Sequence, residues 1–534
     1  MFSYLLISLF ATALAQDELL IPTDKGSVQG HYNPVGVKEW NGIPYAKAPM
    51  GDLRFQYPVD PEPFDGVYEA NFIAPACPQT CNLPPGNCPD HSGTSEDCLF
   101  VTVMAPHEPS PDPEGYPVFF WIHGGAYEQG MGNAALYNGT NFALNNVVTV
   151  VTNYRLGALG FMASESMTGN YGHMDQRKAM QWTQNNIAAF GGNPNRVTVG
   201  GQSAGAMSVA AHLVGEGSNG LFHQAIQESN PMGLPYHERD SAAANAKDVF
   251  EYCGCDADDV ACMRTKTADE ILEAQNNAVK MNLKNLFINF LPFAPLVDPA
   301  GEIPVQPFYG LMNGQYQSIP ILSGSVLDEG QLFVYELFTK PMSKAAYDAM
   351  IPVTFGVENT PAILKAYPFD SIENNTDGRE VLNLLATDLI FYCPLRNATR
   401  GSQAVKGDDA AVAYNYHFDH VLSFDAWGEN YTFCVGWVCH GSELPFVFDV
   451  FNDGVDLFFE PTEDEQNLMD DLTHGWVNFI SNGNPNKGLE IKKVYPEYHA
   501  KEDAVIVLDE PTTVVNSHMR EKYCDMWDKM GFFY

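Results

Sequence analysis

The chain has 534 residues, 45% of them hydrophobic, with 66 acidic side chains against 28 basic ones. That apolar content builds a large core and excludes a disordered chain. A formal charge of −38 excludes nucleic acid as a partner, because its phosphates would be repelled, and disfavours anionic membrane surfaces.

Residues 1–15 are an apolar run ending in Ala13-Leu14-Ala15, and small residues at the first and third of these positions predict signal-peptide cleavage before Gln16. A basic n-region is missing. The competing reading, an uncleaved anchor, meets a run too short to span a bilayer comfortably. No other stretch is apolar and long enough to cross a membrane, and the last residues carry no hydrophobic tail, so no anchor is expected. No Ser/Gly linker, low-complexity run or fixed-period repeat divides the remainder, and residues 16–534 are expected to form a single domain.

Residues 26–45, with Gly26, Gly30, Gly36 and Gly42 among short alternating runs, read as an early β-meander. The Pro-, Cys- and Gly-rich stretch 75–97 reads as a large loop. Residues 99–106, 116–125 and 147–155 are continuous apolar runs, as expected of strands buried on both faces of a mainly parallel sheet. Residues 173–192 read as a helix stopped by Gly191-Gly192, then a turn at 193–195 and a strand over 196–200. This βαβ alternation defines an α/β fold with a large, mostly parallel central sheet flanked by helices. Further on, 238–286, 341–366 and 462–482 are helix-like, and 319–325, 410–420 and 504–509 are strand candidates.

Chemistry concentrates at Gly201-Gln202-Ser203-Ala204-Gly205. An apolar strand precedes it and a small-residue helix follows, the strand–turn–helix of a nucleophile elbow. Such a turn strains the serine backbone and leaves no room for side chains beside it, so glycine is required at both flanks. It also sets Ser203 at a helix N-terminus, where unpaired N–H groups favour a developing negative charge. Backbone N–H groups of Gly125 and Ala126, in the run Trp121-Ile122-His123-Gly124-Gly125-Ala126, together with that of Ala204, are the natural oxyanion hole.

A serine hydroxyl needs a base, and the base needs an orienting acid. Fourteen histidines compete for the role, so chemistry alone does not choose. Chain order places acid and then base after the serine, which points to Asp328-Glu329 and to His440.

Eleven cysteines read as several disulfides with at least one thiol left over. Zinc is disfavoured because neither Cys77/Cys81 nor Cys434/Cys439 has a partner pair at zinc spacing, and neither metal nor cofactor is expected. Asn138, Asn374, Asn397 and Asn430 head acceptor sequons for N-glycosylation.

These motifs resemble the type-B carboxylesterase/lipase family, which has the α/β-hydrolase fold. The similarity runs nearly the whole mature chain: Gly42-Ile43-Pro44-Tyr45-Ala46, Ser95-Glu96-Asp97-Cys98, Asn153-Tyr154-Arg155, residues 169–176 and 190–195, the elbow, Asp328-Glu329-Gly330, His440-Gly441-Ser442-Glu443 and 483–486. The resemblance implies Glu329 as triad acid and His440 as base. It implies disulfides Cys77–Cys98, Cys255–Cys262 and Cys393–Cys524, leaving Cys81–Cys88 and Cys434–Cys439 as extra local bridges and Cys253 alone. It also implies structural ion pairs Arg54–Glu96 and Arg155–Asp175.

Three departures stand out. Gln202 replaces the glutamate of cholinesterases, Ala126 replaces a glycine, and the 77–98 loop lacks the tryptophan that binds choline by cation–π contact. The expectation is a secreted serine ester hydrolase acting on neutral, small-molecule carboxylic esters. A lipase acting on longer-chain lipid esters is the alternative, and a non-catalytic adhesion protein a more distant one.

Overall fold

A computed structural model describes residues 18–89, 92–278, 286–372, 376–450, 460–510 and 513–532. The expected signal segment 1–15 and the sequon at Asn374 lie outside them.

Fourteen strands are described: β1 (Leu20–Thr23), β2 (Gly26–Gln29), β3 (His31–Tyr32), β4 (Lys38–Pro44), β5 (Val67–Glu69), β6 (Phe100–Ala105), β7 (Tyr116–Ile122), β8 (Val148–Thr152), β9 (Gly192–Gln202), β10 (Gln224–Glu228), β11 (Ile321–Val326), β12 (Ala413–Phe418), β13 (Ala504–Leu508) and β14 (Val514–Ser517). Eleven of them form one sheet in the order β14-β13-β12-β11-β10-β9-β7-β8-β6-β4-β3. The run from β8 through β7 and β9 to β13 is parallel, and both margins are antiparallel. The residues read as one meander divide instead: β2 joins β1 and β5 in a small sheet, while β3 and β4 edge the large one.

The apolar runs are buried on both faces, as their patterns require. In β7 all seven residues are buried, and Val118, Phe120 and Ile122 pack into one core while Phe119 and Trp121 pack into the other. Fully burying a large apolar side chain stabilises by roughly 1.5–3 kcal/mol. The centre of the sheet is therefore firmly anchored, whereas all four residues of the edge strand β14 are exposed.

Two boundaries differ from the sequence reading. The helix over Tyr171–Asn186 closes with a tight turn, Ile187–Phe190, and a left-handed Gly191, and β9 then starts at Gly192, so the expected turn at 193–195 is part of a long strand. The region 238–286 breaks into helices Arg239–Tyr252, Val260–Thr265 and Ala268–Ala278. Glu463–Asn482 is helical as read, started by a capping box of Thr462 and Glu465 and stopped by left-handed Gly483. The strand β10 and the helices Gly378–Ala386, Cys393–Lys406 and Glu521–Met530 had no distinct signal.

Five disulfides are present: Cys77–Cys98, Cys81–Cys88, Cys255–Cys262, Cys393–Cys524 and Cys434–Cys439. Cys253 is a free, buried thiol. Arg54 grips Glu96 through two hydrogen bonds of 2.7 and 2.5 Å, and Arg155 grips the fully buried Asp175 through two of 2.7 Å. No described helix is long and apolar enough to cross a membrane.

Candidate active site

The site lies beyond the carboxyl ends of the parallel strands. β9 ends at Gln202, and Ser203 follows with φ 57° and ψ −124° before the helix Ala204–Val214 begins. This backbone is strained for a residue with a side chain. It is held by the Ser203 N–H, which donates to Glu228 O on β10 at 2.9 Å, and by Met207 N–H donating to Ser203 O at 2.9 Å. A Cβ on Gly205 would sit 2.0 Å from Ile122 O, and one on Gly201 would sit 2.6 Å from Gly205 C, so any side chain there would push the elbow apart.

Ala126 and Tyr127 adopt φ of 57° and 62°, and Gly125 has φ 104°, so this turn folds back on itself. The N–H groups of Glu128 and Gln129 both close on Gly125 O at 3.0 Å. His123 braces the turn from below, stacked on Tyr154 at 4.5 Å and hydrogen-bonded to Gly124 O at 2.7 Å. Burial pulls its pKa down to about 4, so it stays neutral.

The two acids in the Asp328-Glu329 pair have separate tasks. Glu329, fully buried, accepts Val326 N–H on one oxygen at 2.9 Å and meets His440 Nδ1 with the other at 2.5 Å. Asp328 instead accepts Asn383 Nδ2 at 2.9 Å and Val438 N–H at 3.2 Å, while its own N–H reaches Val438 O at 3.0 Å. Asp328 thereby pins the segment that presents His440. The Cys434–Cys439 bridge shortens that segment's freedom further. Phe333 and Phe391 flank the imidazole at 5.0 and 5.1 Å, and Phe391 comes from a π-helical turn, Thr387–Tyr392, an irregularity common at functional sites.

The amide nitrogen of Gln202 stands 3.1 Å from His440 Nε2 and donates to it. An acceptor at Nε2 keeps the ring proton on Nδ1, facing Glu329, which is the tautomer of a general base.

Sequence reasoning missed the buried acids behind this group. Glu443 accepts the Ser229 hydroxyl at 2.9 Å, and burial first, then the charges of Glu228 and Glu329, push its carboxyl well above the usual range. Burial likewise pushes Glu228 up to about 8, although the Trp476 indole N–H donates to it at 2.7 Å. Burial thus favours the protonated form of both carboxyls. The motif His440-Gly441-Ser442-Glu443 contained this signal, but nothing in it told the burial.

Ser203, His440, Gly125 and Ala126 open onto a cavity of about 400 Å³. Leu83, Pro84 and Pro85 of the Cys77–Cys98 loop, Phe290 and Phe333, and Trp427 and Tyr431 supply its walls. A residue triplet with metal-ligating atoms, Asp503, His518 and Glu521, lies outside this cavity, and Arg396 already holds Asp503 at 2.6 Å. Of the sequons, Asn430 is exposed, whereas the Asn397 amide is tied to Asp528 at 2.6 Å and Asn138 precedes a fully buried Thr140.

A central parallel sheet with a serine elbow at its carboxyl edge defines an α/β-hydrolase. The chain belongs to the carboxylesterase family, whose model matches residues 17–527, and it is a carboxylic ester hydrolase. It is 32% identical over 519 residues to the para-nitrobenzyl esterase of Bacillus subtilis (strain 168), covering 96% of this chain and 99% of that one. It is 34% identical over 513 residues to the cAMP-regulated D2 protein of Dictyostelium discoideum, covering 96% and 93%. A solved PNB esterase superposes with a TM-score of 0.81 at 31% identity, covering 97% of this chain and 100% of that one. Five disulfides fit an extracellular or secretory-pathway protein.

Proposed function

We propose that this protein is a secreted serine carboxylesterase that hydrolyses neutral carboxylic esters through an acyl-Ser203 intermediate. The observation that carries the reading is the 2.5 Å contact of His440 Nδ1 with buried Glu329, beside the strained Ser203 at the cavity floor. In this scheme the Gln202 amide yields Nε2 of His440, Ser203 Oγ attacks the ester carbonyl carbon while that nitrogen takes its proton, and Glu329 holds the resulting imidazolium. Amides of Gly125, Ala126 and Ala204 stabilise the oxyanion, a contribution of about 3–4 kcal/mol per donor in comparable sites. The tetrahedral intermediate collapses, and the alcohol leaves with the proton from His440. Water, deprotonated by the same imidazole, then releases the acid and restores Ser203. No cofactor takes part.

Secretion follows from a cleaved segment 1–15 ahead of a single domain, 16–534, with the disulfides and an accessible sequon at Asn430 in support. A second reading, hydrolysis of longer lipid esters, draws on the apolar walls of the cavity. Rates on p-nitrophenyl esters of increasing acyl length separate the two: an optimum at short acyl groups supports the esterase, and rising kcat/KM to long chains supports the lipase. An organophosphate probe should label the Ser203 peptide alone, and labelling of another serine would overturn the assignment.

A further inference from the structure

The cavity holds a carboxyl group that the proposed reaction does not use. Glu128 stands two residues past Ala126 in the turn that offers the oxyanion amides, and it lines the same cavity as Ser203 and His440. Its N–H, bonded to Gly125 O at 3.0 Å, couples its position to that turn. One of its oxygens takes a long hydrogen bond, 3.5 Å, from the Gln275 amide on the helix Ala268–Ala278. Gln275 is itself locked in place, because its carbonyl oxygen accepts Ala158 N–H at 2.7 Å.

Among the described residues no lysine or arginine lines the cavity. The titratable groups that share it are His440 at the floor, Glu336, Tyr137 and Tyr431. Glu336 is engaged by the Tyr431 hydroxyl, and burial raises both. Among the described residues Glu128 therefore faces neutral Gln275 from the neighbouring helix and no lysine or arginine from any lining element. Burial alone pushes its carboxyl up to about 7. Around neutral pH it passes from a neutral acid to an anion, in a cavity where a charge without a partner is costly.

The geometry points to Glu128 as a specificity-determining residue, the anchor for a primary amine carried on the acyl or alcohol part of an ester substrate. This rests on the reading of the cavity as an ester-hydrolysis site. A primary ammonium donates a charge-assisted hydrogen bond to a carboxylate, whereas the quaternary ammonium of choline has no N–H to give. The aromatic walls at Phe333 and Trp427 accommodate the methylene spacer.

The test compares the wild-type chain with Glu128→Gln, Glu128→Asp and Glu336→Gln, from about pH 6 to about pH 8. Two matched pairs of esters are used. One is p-nitrophenyl ε-aminohexanoate against p-nitrophenyl heptanoate, and the other is aminopentyl butyrate against hexyl butyrate. The readout is the amine-to-alkyl ratio of kcat/KM, in which the protonation of His440 cancels. On at least one pair the wild-type ratio rises about fivefold across the range, and at the upper end it exceeds that of Glu128→Gln by about tenfold. Glu128→Gln gives a flat ratio, while Glu128→Asp and Glu336→Gln keep the rise. Equal ratios in wild type and Glu128→Gln on both pairs would overturn the proposal, as would a rise abolished by Glu336→Gln instead. The alkyl esters alone report on the wider reading. If wild type hydrolyses them no faster than Ser203→Ala, the esterase assignment fails, and if it hydrolyses them normally with an unmoved ratio, only the amine anchor fails.

Discussion

The floor of the cavity and its walls are held in different ways. At the floor, Ser203 follows β9 directly, Glu329 stands three residues past the end of β11 and takes a backbone N–H from that strand, and His440 follows a disulfide whose loop Asp328 pins. The walls are supplied by Leu83–Pro85 inside the Cys77–Cys98 loop, by the helix Glu329–Leu337 and by the irregular stretch around Trp427. There Leu337 is exposed. On the proposed reading, a floor fixed by a buried sheet governs whether a bond breaks, and walls built from loops and a helix govern which molecule is held while it does. Changes at the floor should therefore alter rate for every ester, and changes in the walls should alter ratios between esters.

The largest effect belongs to the floor. Ser203→Ala should lower kcat/KM on p-nitrophenyl butyrate by at least about 10³-fold, and Glu329→Gln by a similar factor, with melting temperatures little changed. A variant retaining a tenth of the activity would break the division. Gln202→Glu sharpens it. A carboxylate in place of an amide 3.1 Å from His440 Nε2 favours the imidazolium, so the acid limb of the kcat/KM profile should move up by about one pH unit. An unmoved limb would mean that residue 202 does not face the base.

The buried acids behind the floor make a stability prediction. Glu228 has its carboxyl raised from 4.5 to about 8, so the folded state binds the proton more tightly than the unfolded chain. Its contribution is fully present below about pH 4.5 and is lost as pH rises through about 8. The melting temperature should fall across that window, and Glu228→Gln should flatten the slope without abolishing it, since Glu443 adds a slope of the same sign. An unchanged slope in the variant would refute this placement of the proton.

The smallest effect lies in the walls. Neutral esters should match or exceed choline esters of equal acyl length, because a cation–π contact is worth only about 0.5–2 kcal/mol and the loop tryptophan of cholinesterases is missing. Butyrylthiocholine outrunning a neutral thiobutyrate ester tenfold would assign the cation to another aromatic, with Trp427 and Tyr431 the candidates in place.

The same contrast explains what the sequence disclosed. The elbow, the turn at Gly124–Gly125 and the central strands are local patterns: glycines where a Cβ collides, and apolar runs where both faces are covered. The chain order of acid and base followed from them. The choice between Asp328 and Glu329 needed family resemblance, because two adjacent carboxyls are alike until the structure turns one toward Val438 and the other toward His440. Glu128, Glu228 and Glu443 were illegible as a group. Their behaviour is set by how much protein surrounds them, and that depends on segments far away in the chain, such as Gln275 and Trp476. The extra strand residues at 193–195 were missed because an Asn-Pro-Asn sequence signals a turn wherever pairing does not override it.

The Cys393–Cys524 bridge closes a ring of chain whose ends are 131 residues apart in sequence, and His440 lies inside it, as do β12, β13 and β14. One cut in the backbone anywhere along that ring would leave a single covalent molecule, its base still tethered to the body that carries Ser203 and Glu329. A protease cutting there would thus produce a nicked protein that runs as one chain on a gel until reductant is added. Its two pieces would be joined at the disulfide rather than at the cut.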